Sequence, residues 1–442
     1  MDRAARPSEP IFPRLTGGAG RMTPDRVARH QKARLEGAMV EAVSRHGYAG
    51  TTLGELVTLA GVSKSTFYEH FESKQDCFLA TFDEVVAQLS ARVTEAYRSG
   101  NDLSEQFLAG LTAFMKVTVD EPAAASLAAV ESLTLGAAGV EHRERASQTF
   151  ETLIQQSFDH SAGGRQVSAT TVRAIVAGIR GVTYARLRAG HPDELPGLVG
   201  ELVDWALSYQ DADNEVLLRA IAAAERAPEE SADDATSEEN ARPDWDEPAA
   251  SPASRASLTQ RERIVRAAAQ VVVEKGYEAL SIPAISAAAG TSNQTFYEHF
   301  ASKRDPFLAA FETLAADALN TTATAFAREE NRPEAIGASI RALLHHIADN
   351  ELFARLAFFE LPTAGPAALD RADALLESFG AFLEPGSASN EIGGPLAQSV
   401  LKAIPSGIWA VIQHEIAHDR RESLPDLAPE ITRIVLAPFG RS

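Results

Sequence analysis

The hexapeptide Thr-Phe-Tyr-Glu-His-Phe occurs twice, at 66–71 and at 295–300, so that Thr295 follows Thr66 by 295 − 66 = 229 positions. The same offset pairs Gly47-Tyr48 with Gly276-Tyr277, Ala60-Gly61 with Ala289-Gly290, and Ser73-Lys74 with Ser302-Lys303. Far downstream it pairs Glu131, Thr134 and Gly136 with Glu360, Thr363 and Gly365, and Leu195-Pro196 with Leu424-Pro425. A register held over this length leaves almost no room for net insertion. The chain is therefore a tandem duplication of a complete unit of about 190–200 residues, the size of one or two small domains. A stacked solenoid is excluded, because its repeats run to roughly 20–50 residues.

Composition narrows the class. Hydrophobic residues make up 45% of the chain, enough to fill real cores, and charged residues 23%, as in an ordinary globular protein. The single cysteine, Cys77, cannot close an internal disulfide, which points to a reducing compartment. The sequence shows no signal-like start and no uninterrupted apolar run long enough to span a bilayer, so the expectation is a cytoplasmic protein with no membrane partner.

The net charge of −20 argues against a polyanion partner only until it is resolved along the chain. Residues 21–74 hold eight Lys/Arg against six Asp/Glu, and residues 255–303 hold six against four, so each stretch is at +2. Residues 210–254 carry thirteen acidic and three basic residues, −10 of the −20 − 4 = −24 left outside those stretches. Screening limits what a phosphate feels to roughly 8–10 Å, so the local balance decides.

The periodicity is helical nearly throughout, and the expected fold class is all-α. In the first copy Thr23-Pro24 opens a helix running to about His46, where Gly47 stops it. Thr52 to Glu55 reads as a capping box for a short helix ending near Ala60-Gly61. Gly61-Val62-Ser63 makes a tight turn, a third helix runs from Lys64 to about His70, and a fourth opens at Ser73. The second copy repeats the plan, with Thr259 and Glu262 as a capping box and Ser281 as the next cap. Two short helices joined by a tight, Gly-containing turn form a helix-turn-helix.

The run from His46 to Lys74, with Ala60-Gly-Val-Ser-Lys-Ser-Thr-Phe-Tyr-Glu-His-Phe-Glu-Ser-Lys74 at its centre, resembles the DNA-binding head of the TetR family of transcriptional regulators. Residues 275–303 resemble a second, more divergent head. The resemblance implies two tandem units, each a head followed by a helical effector and dimerisation bundle. The expected segments are a tail at 1–20, heads at 21–72 and 258–301, bundles at 73–209 and 302–442, and an acidic linker at 210–257 with a helical start reaching to Arg226. The linker beyond Pro228 lacks apolar periodicity and reads as disordered, long enough for one chain to fold as a pseudodimer of its halves.

The head chemistry fits duplex DNA. A recognition helix presents its first residues to base edges while neighbouring groups hold phosphates. In the first head the exposed helix start offers Ser63, Lys64, Ser65 and Thr66; by resemblance, Tyr68, His70 and Lys74 contact the DNA backbone. In the second head the base readers become Ser292, Asn293, Gln294 and Thr295, with Tyr297, His299 and Lys303 unchanged in type. Lys suits guanine acceptors, whereas Asn and Gln suit adenine, so unlike half-sites are expected. Phe67, Phe71 and Phe78 read as core.

By resemblance, the helices downstream form the effector pocket and dimer interface; in the first copy they are expected at 103–119, 123–135, 140–158, 169–189 and 195–209. Glu131 and Glu360 are candidate contacts to a small-molecule effector, against the commoner alternative of a solvated or internally paired carboxylate. His414-Glu-Ile-Ala-His418 matches a zinc-protease pattern, and His345-His346 is a weaker metal-type pair. No third ligand stands at a protease spacing, and the aligned first-copy positions are Ala185, Arg186 and Ala189. The expectation is thus no enzyme, no cofactor, no metal: a ligand-responsive repressor reading an asymmetric operator, as an intramolecular pseudodimer or as a homodimer of whole chains. The competing class is a small-molecule or metal-binding helical module whose heads no longer bind DNA.

Overall fold

Local capping chemistry sets the first helices. In the computed structural model, which describes residues 23–161, 166–211, 213–226, 258–384 and 396–440, Pro24 stands at the first turn of α1 (Pro24–Gly50), and Gly47 breaks it at φ 66°, ψ 169°. Only glycine takes that backbone without strain. The Thr52 hydroxyl accepts from Glu55 N to open α2 (Leu53–Ala60), and Gly61 ends it in the left-handed region at φ 60°. Ser63 caps α3 (Lys64–His70), and Ser73 caps α4 (Lys74–Arg98). The capping box expected at Thr52 is half made, since the Glu55 carboxylate meets His46 Nε2 at 3.1 Å. Residues 1–20 and the linker, apart from 210, 211 and 213–226, lie outside the described residues.

The first bundle follows as α5 (Leu103–Asp120), α6 (Pro122–Ala129), a 3-10 turn (Glu131–Leu135), α7 (Gly136–His160), α8 (Ala169–Ala189), a 3-10 turn (Pro192–Leu198) and α9 (Val199–Ser208). The helix expected at 123–135 is broken. Ser132 and Thr134 turn their hydroxyls back onto the carbonyls of Ala128 and Glu131, both at 2.7 Å, and Gly136 takes φ 58°. Side-chain bonds to nearby backbone compete with a regular helix in this way. The same break interrupts the stretch Pro122–His160, the one part of the described residues long and apolar enough, by length and composition, to cross a membrane. Leu127 and Leu135, on either side of it, share one core with Leu35, Met39 and Phe67 of the head and Phe78 of α4.

The second unit repeats the order, with Thr259 and Glu262 closing a full capping box on α11. Its elements are α10 (Glu215–Glu225), α11 (Gln260–Lys275), α12 (Ile282–Ala289), α13 (Asn293–His299), α14 (Arg304–Ala327), α15 (Arg332–Asp349) and α16 (Glu351–Arg355). A π turn (Leu356–Glu360) and a 3-10 turn (Leu361–Ala364) lead to α17 (Pro366–Gly380), α18 (Gln398–Ala417) and α19 (Ala428–Leu436). Among the described residues every regular element is helical.

Two crossings depart from a simple one-copy, one-unit division. The compact units are Met1–Asp211 with Ala397–Gly407, and Ala212–Leu396 with Ile408–Ser442. Helix α10, read from the sequence as the start of the linker, belongs to the second unit and packs on α15 and α19. There Gly337 lies so close to α10 that a Cβ would stand 2.1 Å from the Ala220 carbonyl oxygen. In the first unit, Ala397–Gly407 meets α8, where a Cβ on Gly178 would fall 2.7 Å from the Ala403 carbonyl oxygen.

Candidate nucleic-acid interface and effector cavity

Each head buries the aromatic side of its third helix and exposes the other. Phe67 and Phe71 are buried, with ring centroids 5.7 Å apart, and Phe296 and Phe300 repeat the arrangement at 5.9 Å. Lys64, Ser65 and Tyr68 are exposed in the first head; Asn293, Gln294, Tyr297 and His299 are exposed in the second. Tyr68 at 59% and Tyr297 at 61% exposed are large rings held in solvent on rigid helices, as a surface-reading position requires. Ser63 and Thr66 are less available than the sequence suggests. Ser63 Oγ accepts from Thr66 N and lies 3.0 Å from Thr66 Oγ1, and Ser292 and Thr295 form the same pair. His70 Nε2 stands 3.3 Å from Gln31 Oε1.

Lys74 and Lys303 sit at a joint rather than on the open face. The Lys74 ammonium donates to the carbonyls of Tyr48 (2.9 Å) and Thr51 (3.0 Å) and lies 4.2 Å from the Tyr48 ring centroid. Burial lowers its pKa from the ordinary lysine value. Lys303 repeats this on Leu280 (2.7 Å) and Tyr277 (3.4 Å), with its ammonium 4.9 Å from the Tyr277 ring. Two of three ammonium donors are thus committed to carbonyls at the end of the head's first helix.

Glu131 and Glu360 complete the same joint. Glu131 is not among the residues lining the cavity of the first unit; its Oε2 accepts from Tyr48 N at 2.8 Å, and Glu360 accepts from Tyr277 N at 2.9 Å. Gly47 and Gly276, both at positive φ, turn those amides toward the carboxylates. Both carboxylates, expected at an effector, thus form a head-to-bundle link, because the amide freed by the broken helix needs an acceptor.

The cavity in the first unit has a volume of about 160 Å³ and lies among α4, α5, α6, α7 and α8. Its wall is mostly aliphatic and aromatic, with Phe107, Phe114 and Phe150 among the rings, yet Arg143 and Arg180 also face it. Arg180 Nη1 donates to Ser147 Oγ, while Arg143 Nε is buried with no hydrogen-bond partner. Burial, and then the charge of Arg180, push the Arg143 guanidinium down to about 9; burial also lowers Arg180. Sequence reasoning missed both arginines because a helical arginine usually reads as solvated. The signal was in the duplication, where they fall on Ala372 and Trp409.

The two histidines of the zinc-protease pattern lie side by side, with ring centroids 4.1 Å apart, but its glutamate is committed to a neighbouring arginine. Glu415, which would have to activate water, is held by Arg420 through bonds of 2.6 and 3.0 Å. His418 Nδ1 faces the His414 carbonyl at 2.8 Å. His346 is buried against the Phe353 ring, with centroids 5.7 Å apart.

Comparison with known proteins gives the heads a lineage. The sequence model of the bacterial regulatory proteins, tetR family, matches residues 37–81 and 264–310. The HTH-type transcriptional activator FasR of Mycolicibacterium smegmatis is 34% identical over 77 residues, 17% of this chain and 35% of that protein, so the match spans about a third of the relative's length. Among solved structures, FadR from Bacillus subtilis in complex with stearoyl-CoA aligns at 14% identity over 40% of this chain and 97% of its own, with a TM-score of 0.37. A TetR family transcription regulator from Marinobacter aquaeolei VT8 aligns at 19% identity over 41% and 97%, with a TM-score of 0.35.

Proposed function

We propose that this chain, whose two heads both match the model of the bacterial regulatory proteins, tetR family, is a cytoplasmic, ligand-responsive repressor of that non-enzymatic family whose two heads read the unlike halves of one operator. The observation that carries this reading is the contrast within the duplicated heads. Their third-helix caps, buried rings, exposed tyrosines and joints match, while the exposed start of the third helix is Lys64-Ser65 in one and Asn293-Gln294 in the other. Scaffolds alike with readers unlike are what two different half-sites require.

The rest of the proposal connects cavity to head. Ala125, Ala128 and Ala129 of α6 line the cavity, and two residues beyond α6 stands Glu131, bonded to the head at Tyr48. A ligand that moves α6 would move the acceptor on which the head is hung, and would shift the population of head orientations. In this proposal the two halves act as an intramolecular pseudodimer, each head in a major groove roughly 34–36 Å from the other. The inclusion of Ala397–Gly407 in the first unit, against α8, supports it.

The test is anisotropy titration of the full chain on selected operator DNA at physiological salt, since affinity depends steeply on ionic strength. Lys64→Ala is expected to weaken binding by about 1–3 kcal/mol and relax preference in one half-site only, and Asn293→Ala in the other. Uniform loss across both halves from either variant would overturn the assignment of one reader to each.

A further inference from the structure

The two bundles are not equivalent at the position of the cavity. Applying the offset of 229, Ala129, Arg143, Ser147 and Arg180 of the first unit fall on Phe358, Ala372, Leu376 and Trp409 of the second. Where the first unit has a small side chain and a guanidinium, the second has two aromatic rings. Phe358 and Trp409 stack with centroids 4.0 Å apart and planes at 29°, and Phe358 is 2% exposed. The π turn Leu356–Glu360 carries Phe358 into this stack, and Gln413 Nε2 donates to its carbonyl at 2.6 Å. An off-register turn with its carbonyl satisfied is a built feature.

In the first unit the same position is open and charged. Two guanidiniums border a cavity of mainly apolar wall, and Arg143 Nε has no acceptor there. Of the two carboxylates whose charge reaches Arg180, Glu151 stands 3.3 Å from Arg173, and Glu144 acts on Arg143 and Arg180 alike, one negative charge against two guanidiniums. A buried donor left unmade is costly, and a buried cation more so. An anion entering the cavity would answer both arginines, and an apolar remainder would suit the phenylalanine and aliphatic wall. About 160 Å³ is room for many carbon atoms, where one water needs only roughly 10–15 Å³.

We infer that the effector is an apolar molecule with a single anionic head held by Arg143 and Arg180, and that one chain takes one such molecule because the second unit fills its own site with Phe358 and Trp409. The inference rests on the ligand-responsive reading above. It assigns the two halves different work: the first senses, and the second supplies a head and a fixed bundle.

The experiment uses the full-length chain, with decanoate and 1-decanol as probes, native mass spectrometry for stoichiometry and calorimetry for affinity. Expected are one decanoate per chain, 1-decanol binding at least about tenfold more weakly, and a loss of about tenfold or more on Arg143→Gln. The double variant A129F/R180W, which gives the first unit the residues of the second, is expected to bind no decanoate. Two decanoates per chain, equal binding of acid and alcohol, or wild-type affinity in Arg143→Gln would each overturn the inference. The acid-alcohol comparison needs no variant and so does not depend on how any variant folds. Operator binding by the same preparation separates the two levels: a chain that binds DNA but neither probe sinks this inference alone, and one that binds decanoate but no DNA sinks the repressor reading.

Discussion

Replacing Glu131 by alanine removes the link between the first bundle and its head. The bond lost is a carboxylate accepting from the partly buried Tyr48 amide at 2.8 Å. Hydrogen bonds to a charged group contribute about 1.5–3 kcal/mol, and the abandoned amide keeps its desolvation cost because Gly47 at φ 66° turns it into the joint. The expected destabilisation is therefore about 2–3 kcal/mol. For a unit of this size each kcal/mol moves the melting midpoint by roughly 2–4 °C, so Glu131→Ala should melt about 4–12 °C lower. Glu131→Gln keeps a neutral acceptor and should fall between alanine and wild type. Differential scanning calorimetry of the full chain checks the order, with Glu360→Ala as the matching change in the second unit, where the bond is 2.9 Å. An alanine variant within about 0.5 kcal/mol of wild type, the range of an inconsequential surface change, would refute the joint.

Two further predictions concern stability alone. Glu36 is only 6% exposed, and burial raises its carboxyl from 4.5 to about 7, against the pull of Lys32 at 3.6 Å. With the folded pKa raised, its favourable contribution is full below about pH 4.5 and is lost as pH climbs through about 7. At 1.36 kcal/mol per unit the swing is about 3 kcal/mol. Glu36→Gln should thus raise the urea midpoint clearly at pH 8 and little at pH 4.5; an equal effect at both pH values would contradict it. Gly337→Ala drives a methyl against the Ala220 carbonyl and should destabilise the second unit by about 1–3 kcal/mol. Leu108→Ala, at the matching first-unit position that is 49% exposed, should stay within about 0.5 kcal/mol on the same denaturation curve.

What the sequence reveals here is what acts over short range or is written twice. The caps at Ser63, Ser73, Thr259 and Ser281 depend on a side chain and an amide three residues on, and they form as read, while Thr52 caps its helix without the reciprocal half of its box. The buried rings Phe67, Phe71 and Phe78 follow from a motif with fixed spacing. Glu131 was singled out because both copies keep it, yet its partner lies 83 residues away, and no periodicity encodes that distance. Lys74 looked like a phosphate ligand because its helix-start position is visible, whereas the carbonyls it holds belong to Tyr48 and Thr51. Helix α10 read as linker because its acidic surroundings dominate composition, while the face it buries is set by Gly337 more than 100 positions later. The cavity arginines are not legible in the residues the copies share. Their significance lies in residues the copies do not share.

The measurement closest to the central claim is selection of DNA from a random pool by the purified full-length chain at physiological salt. The account predicts a bipartite site of two unlike halves, one changed by Lys64→Ala and the other by Asn293→Ala. A perfect palindrome, altered by variants of one head and indifferent to the other, would mean that paired chains use one head each. It would contradict the pseudodimer that reads one asymmetric operator.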